Sequence, residues 1–364
     1  MDIWIRVLAS IFGFVVVVLT IFSALSTFVL TRAARSQLNR IVFGLTRRVF
    51  EFILKFTRTY RQRDAIMAYY SPLSLIMLVP VWYALIMMGY AAMYWSLGVG
   101  EWFADIRYSG SSLLTLGFAT SDNPYVTLLS FSEALIGLIL VALLMAYLPT
   151  MYAAFSRREQ AVSMLEVRAG NPPTALEMLL RFNRIHGLEK LSDYWKTWEA
   201  WFADIEESHT TLPALVFFRS PRSDNSWITA SGAVLDAAAI AQSALDIPPD
   251  ASAALCIRAG YLALRRIADY FDISHPQSPT YPTIPISITR AEFDEVLNQL
   301  TQAGVPMKAD REKAWIDFAG WRVNYDRVLL VICSLVMAPQ TPWSSDRAKK
   351  FKSPPLFLKK KRFK

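Results

Sequence analysis

The run VLASIFGFVVVVLTIFSALSTFVLT, residues 7–31, lies between Arg6 and Arg32 and contains no charge. About 20 apolar residues in a helix cross the hydrocarbon core of a bilayer, so this stretch decides that the chain has a membrane part. Two further runs repeat the pattern. No charge occurs between Asp64 and Glu101, where SPLSLIMLVPVWYALIMMGYAAMYWSLG carries the interfacial candidates Trp82, Tyr94 and Trp95. From Asn123 to Ser156 only Glu133 is charged, and FSEALIGLILVALLMAYLPTMY stops shortly before Arg157 and Arg158. A mean hydropathy of +0.28 over 364 residues fits such a membrane part joined to a water-soluble one.

The distribution of charge predicts an orientation. Between the first two spans, residues 31–70 hold nine Arg and Lys against Glu51 and Asp64, which places that segment in the cytoplasm. The N-terminus is then outside, residues 98–124 are external, and the chain returns to the cytoplasm at Arg157. A cleaved leader is the rival reading of residues 1–30. It would leave the nine cations outside, against the charge rule, so a true span is kept. Within the basic linker, IVFGLTRRVFEFILKF has apolar residues at helical spacing among Arg47, Arg48 and Lys55. It reads either as a helix on the inner membrane surface or as one packed on the soluble part.

The external segment EWFADIRYSGSSLLTLGFATSDNP, residues 101–124, leads directly into the third span. Together with the spans on either side it resembles the pore domain of the potassium-channel family, which has an outer helix, a short pore helix, a filter and an inner helix. The resemblance covers residues 70–155. It implies that Thr115, Leu116, Gly117, Phe118 and Ala119 occupy the places of the family's Thr-Val-Gly-Tyr-Gly filter, that WFADIRYSGSSLL is the pore helix, and that Gly137 is a candidate bending point of the inner helix. It also implies a homotetramer, because each chain carries one such loop, and a permeant monovalent cation, potassium in that family. Independent physics supports the residue choice: an ion that sheds water needs rings of backbone carbonyls, and glycine takes left-handed dihedrals at little cost. Ala119 stands where the family has its second glycine, and Thr120 and Ser121 intervene before Asp122, so selectivity for potassium stays open. Asp122 and Glu133 are candidate filter supports. Pro149, which lacks an amide donor, is a second candidate hinge, near the inner end of the third span. No span carries arginines at every third position, so voltage sensing has no support.

The remainder is expected to be helical and cytoplasmic. NPP at 171–173 reads as a helix start capped by Asn171. Leu188, Leu191, Trp195, Trp198, Phe202 and Ile205 form one apolar helical stripe, which reads as core. Residues 231–273 read as two alanine-rich helices separated by IPPD, residues 275–287 as a proline-rich connection, and Thr289 with Glu292 as a capping box. Residues 309–337 read as one long helix. The run 328–339 is too short to span a membrane and reads as buried. HTTLPALVFFRSPRSDNSWITASGAVLDAAA and DFAGWRVNYDRVLL resemble the soluble part of bacterial membrane proteins carrying a channel-type pore, which implies no activity of its own.

The expected fold is therefore all-α. It comprises an N-terminal span (1–31), a basic linker (32–69), a pore domain with a re-entrant pore helix and filter (70–155), a helical cytoplasmic domain (156–345) and a basic tail (346–364). No nucleotide-binding glycine loop, P-loop or hydrolase motif occurs, so no enzyme activity and no cofactor are expected. Cys256, Cys333 and three scattered histidines suggest neither a disulfide framework nor a metal site. The net charge of +8 is concentrated in the linker and tail, which points to anionic lipids of the plasma membrane, the bacterial inner membrane by the resemblance, rather than to nucleic acid. The function expected is a potassium-channel-like cation channel. The alternative is a non-conducting, membrane-anchored scaffold or signalling protein acting through its cytoplasmic part.

Overall fold

A computed structural model describes residues 3–28, 36–248 and 250–349. The end of the first apolar run, Arg32, Arg35, Pro249 and the tail from residue 350 lie outside the described residues. The protein is all-helical, with no strand among the described residues, and three helices are long and apolar enough to cross a membrane. By its contacts the chain divides into two compact units. The first comprises residues 1–56 and 69–152; the second comprises residues 57–68 and 153–364.

The first unit is built on α1 (Ile3–Phe28), α2 (Gln37–Leu54), α4 (Tyr70–Ser96), the short α5 (Trp102–Leu113) and the first part of α6 (Pro124–Ala169); the intervening α3 (Tyr60–Ala68) belongs to the second unit. With 26 and 27 residues, α1 and α4 are each about 40 Å long, more than a hydrocarbon core requires. They pack closely where Gly13 meets Gly89. A side chain on either would overlap the other's carbonyl oxygen, and small residues at this crossing are what allow two backbones to approach. Leu78, Trp82 and Ile86 on α4 are fully buried, and the Trp82 indole donates to the Ser23 hydroxyl of α1 at 3.2 Å. That polar contact lies at the end of α1 where α2 also joins. The Ser23 and Ser36 hydroxyls are 2.7 Å apart, and the Asn39 amide donates to Thr27 at 2.6 Å. Ser36 caps α2 by accepting from the Asn39 amide N–H. Tyr70, the first residue of α4, packs edge-on against Phe43 and Phe50 of α2.

The second unit contains α3, the remainder of α6, α7 (Ala175–Arg184), α8 (Leu191–Thr211), α9 (Trp227–Ala244), α10 (Ala251–Tyr270), α11 (Arg290–Gln302), α12 (Arg311–Arg322) and α13 (Asp326–Val336). Its core includes five of the six residues of the expected stripe, Leu191, Trp195, Trp198, Phe202 and Ile205 of α8, buried together with residues of α9 and α10, whereas Leu188 stands before α8 in a short 3-10 turn and is only partly buried. Seventeen of the 18 residues of α9 are buried, so its alanines serve close packing on several sides rather than one face. The capping box at Thr289 and Glu292 is formed.

Two local readings are corrected. Residues 171–173 precede the helix rather than begin it: α7 starts at Ala175, and its cap is Thr174, whose hydroxyl accepts from the Glu177 N–H at 3.1 Å. The signal was present as a Thr-x-x-Glu pattern, whereas the prolines of Asn-Pro-Pro form a turn. Residues 309–337 make two helices, not one. Between them, the Asn324 amide donates to the carbonyls of Gly320 and Trp321, and Arg265 donates to the Asn324 carbonyl at 3.0 Å. An asparagine that offers its own side chain to the backbone competes with helix propagation.

At the break, Arg322 ends α12 and Asp326 begins α13, and both join one buried cluster. Arg322 is fully buried, donates to both oxygens of Asp236 at 2.5 and 2.7 Å and to Asp326 at 2.8 Å, while the Tyr325 hydroxyl donates to Asp236 at 2.8 Å. Burial alone would lower the Arg322 pKa, but the two carboxylates raise it, so the guanidinium is held charged.

Candidate functional site

Helix α5 has 12 residues, about 18 Å, too short to cross a bilayer, and it stands between two helices that are long enough. It ends at Leu113, and residues 114–123 are not helical. The segment after it folds back on a single residue. Ser111, buried in the last turn of α5, accepts from the N–H of Leu116 at 2.8 Å and of Gly117 at 3.3 Å through its carbonyl, and from the Ala119 N–H at 3.0 Å through its hydroxyl. Several amides of the segment are therefore satisfied within α5. Among the described residues, none of the carbonyl oxygens from Thr115 to Ala119 accepts a hydrogen bond.

The backbone of this segment alternates in handedness. Thr115 has φ 54° and Gly117 φ 72°, with Leu116 between them in the ordinary region. The left-handed non-glycine residue of the segment is Thr115, not Ala119. Gly117 is required by its dihedral alone, since a side chain there would meet nothing within 4 Å. Leu116 and Phe118 are exposed in the single chain. The Phe118 ring lies under the Arg107 guanidinium, 5.8 Å from the centroid.

Behind α5, Glu133 of α6 is fully buried and accepts hydrogen bonds from the Tyr94 hydroxyl of α4 at 2.9 Å and from the Ser109 hydroxyl of α5. One carboxylate thus joins three helices of the unit. Tyr94 also packs edge-on against Tyr108 at 4.8 Å. Asp122, the other candidate support, is exposed and takes no part in this cluster's hydrogen bonds. Gly137 is buried against the Leu113 carbonyl, and its own carbonyl accepts from the Tyr83 hydroxyl at 2.7 Å. Helix α6 continues unbroken through both Gly137 and Pro149. Sequence reasoning missed Ser111 and Asp105, the latter fully buried in the first turn of α5 with no hydrogen-bond partner for either carboxyl oxygen among the described residues. Their only signal was position at the two ends of a short helix.

In the second unit a second titratable cluster is internal. Arg158 is fully buried and donates to the Leu215 and Phe218 carbonyls at 2.8 and 2.7 Å, paired with Glu159. His209 beside it is pushed well below its ordinary pKa, by burial first and by Arg158 second. Among the described residues no group of His, Cys, Asp and Glu is placed to hold a metal ion. Against known proteins, the chain matches no protein-family model, no curated protein and no solved structure.

Proposed function

We propose that the chain is the subunit of a cation channel, assembled as a homotetramer around Thr115 to Ala119, with the second unit on the cytoplasmic side and the membrane being the plasma membrane. The observation that supports it best is α5 with its returning segment: a helix too short to span, whose following amides turn inward to Ser111 while carbonyls take no donor. Irregular backbone at membrane depth is tolerated where protein or a water-filled cavity surrounds it. Four copies of this segment facing one axis would satisfy that condition and would present carbonyl rings to a dehydrating ion. Alternation of left-handed and ordinary residues at Thr115, Leu116 and Gly117 is the backbone pattern by which successive carbonyls share one side.

In this reading Glu133, Tyr94 and Ser109 hold α5 against α4 and α6, and Gly137 lets α6 approach the end of α5. A monovalent cation, potassium by preference, is the expected permeant species. The test is ion flux in liposomes holding the purified protein, potassium compared with sodium, together with the mass of the assembly in detergent. Flux that disappears in Gly117→Val supports the channel. A monomeric mass with no flux across lipid compositions, pH and calcium overturns it and leaves the membrane-anchored scaffold.

A further inference from the structure

Helix α2 carries two different faces. One packs within the first unit: Val42, Arg47 and Phe50 are buried, Arg47 is paired with Glu51 at 2.9 Å, and the Tyr70 hydroxyl of α4 donates to the Phe43 carbonyl at 3.3 Å. The other face is exposed, and it is apolar. Leu45, Val49 and Phe52 recur at intervals of four and three residues, with exposures of 51, 57 and 59%, Ile53 lies beside them, and Phe56, 76% exposed in the turn just after the helix, extends the stripe. The exposed cations Arg48 and Lys55 run along one edge of that stripe, with the Lys55 ammonium over the Phe52 ring. A helix on a protein surface in water does not expose four large apolar side chains in a row without a partner.

We propose that this face of α2 is seated on the anionic phospholipid surface of the bilayer that α1 and α4 cross, with Leu45, Val49, Phe52 and Phe56 in the acyl boundary and Arg48 and Lys55 at lipid phosphates. Three observations commit the face to lipid. The helix belongs to the unit that contains the membrane-length helices α1 and α4. Its N-terminus is tied by Ser36 and Asn39 to Ser23 and Thr27 in the last two turns of α1, and its middle to Tyr70 at the start of α4. It therefore lies at the level where one long apolar helix ends and another begins, which is the bilayer interface. The edge cations supply the charge complementarity, and the inward-facing Arg47 is already neutralised by Glu51, so the outward charge is that of Arg48 and Lys55. The inference rests on the membrane reading of α1 and α4 and is independent of ion conduction.

The full chain permits a direct test, because its two cysteines are buried at 0 and 1% exposure and burial raises both thiol pKa values, leaving them unreactive. Phe52→Cys and Glu189→Cys are each labelled with an environment-sensitive fluorophore, Glu189 being an exposed position of the second unit, and are reconstituted in vesicles of phosphatidylcholine and phosphatidylglycerol. Nitroxide on the acyl chain of either lipid should quench the Phe52 label strongly and the Glu189 label little. Nitroxide phosphatidylglycerol should quench the Phe52 label more than nitroxide phosphatidylcholine, and Arg48→Gln with Lys55→Gln should reduce that preference by about fivefold for each cation removed. A Phe52 label quenched no more than the Glu189 label overturns the proposal and shows the face covered by protein, in a second copy or elsewhere in the chain. Equal quenching by the two lipids in the unaltered background overturns its anionic part. Val49→Cys, labelled in the same way, guards against a local effect of losing Phe52.

Discussion

The carbonyl oxygen of Leu113 occupies the place that a Cβ on Gly137 would need. The inner helix can approach the end of α5 only because residue 137 has no side chain. Gly137→Ala should therefore push α5 away from α6, at a cost of about 1–3 kcal/mol, seen as a lower thermal midpoint in detergent and reduced flux. Gly110→Ala is the matched control: its Cβ would stand 3.7 Å from the Met87 sulfur, an ordinary contact, within the same helix α5. A control that loses as much as Gly137→Ala would remove steric overlap as the cause.

Gly117 and Gly304 make a second pair. Both are left-handed, at φ 72° and 76°, and a Cβ added at either would meet nothing within 4 Å. Replacement by alanine should cost each about 1–2 kcal/mol from backbone strain alone. Only Gly117→Ala should alter conduction or ion preference, since Gly304 follows α11 in the second unit. Flux assays on both variants, with thermal melts alongside, separate strain from function.

Glu133→Gln should retain most of the stability of the first unit, because the amide oxygen accepts from Tyr94 while its NH2 donates to the Ser109 oxygen, whose proton turns to the Met87 carbonyl at 3.1 Å. Glu133→Leu should not. It strands the buried Tyr94 hydroxyl, at about 1–3 kcal/mol, and removes the carboxylate link to Ser109, which keeps the Met87 carbonyl as acceptor, so it should loosen α5 against α6. Faster hydrogen exchange across 102–113 in the leucine variant, with the glutamine variant near the parent, is the expected result.

In the second unit, Glu292 is held down to about 2, first by the hydrogen bond from Arg347 and further by the N–H and hydroxyl of Thr289, against a partial opposing effect of burial. A carboxylate depressed on folding stabilises the folded state above its ordinary pKa of 4.5, and that contribution fades as pH falls from there toward 2. Glu292→Gln should therefore be less stable than the parent at neutral pH and should converge with it near pH 2. The difference between the two pH profiles of thermal midpoint carries the signal; a constant gap at all pH values would contradict it.

Arg322→Met leaves Asp236 and Asp326 buried without their cation. Removal of one partner from a buried network costs about 3–5 kcal/mol, so the second unit should unfold at a much lower temperature, monitored by its tryptophan emission. The double variant with Asp236→Leu should recover part of the loss.

The long apolar helices were legible because hydrocarbon thickness imposes a minimum length on uncharged sequence, a constraint that α1, α4 and α6 each meet. The stripe of α8 was legible for a similar reason: Trp195, Trp198 and Phe202 keep one face whatever they pack against. What failed depended on side chains binding nearby backbone. Asn324 broke a periodic pattern that otherwise reads as continuous helix, and Thr174 took a capping role that proline suggested for Asn171. At the candidate site, the short helix and Gly117 could be read from spacing and residue type. Ser111 could not, because its importance comes from one carbonyl and one hydroxyl reaching residues five to eight positions ahead.

The attachment of α3 has a consequence for the order in which the protein is made. Asp64 is paired with Arg219, the Tyr60 hydroxyl donates to the Met337 carbonyl at 3.2 Å, and Arg219 donates to the Val336 carbonyl at 2.7 Å. Residues 60–68 leave the ribosome before α4 and most of α6, yet the groups they bind are synthesised more than 150 and more than 270 residues later. The second unit thus cannot be completed from residues 153–364 alone. Two long apolar helices are translated while α3 waits for its partners, and completion of the fold is tied to the arrival of Met337.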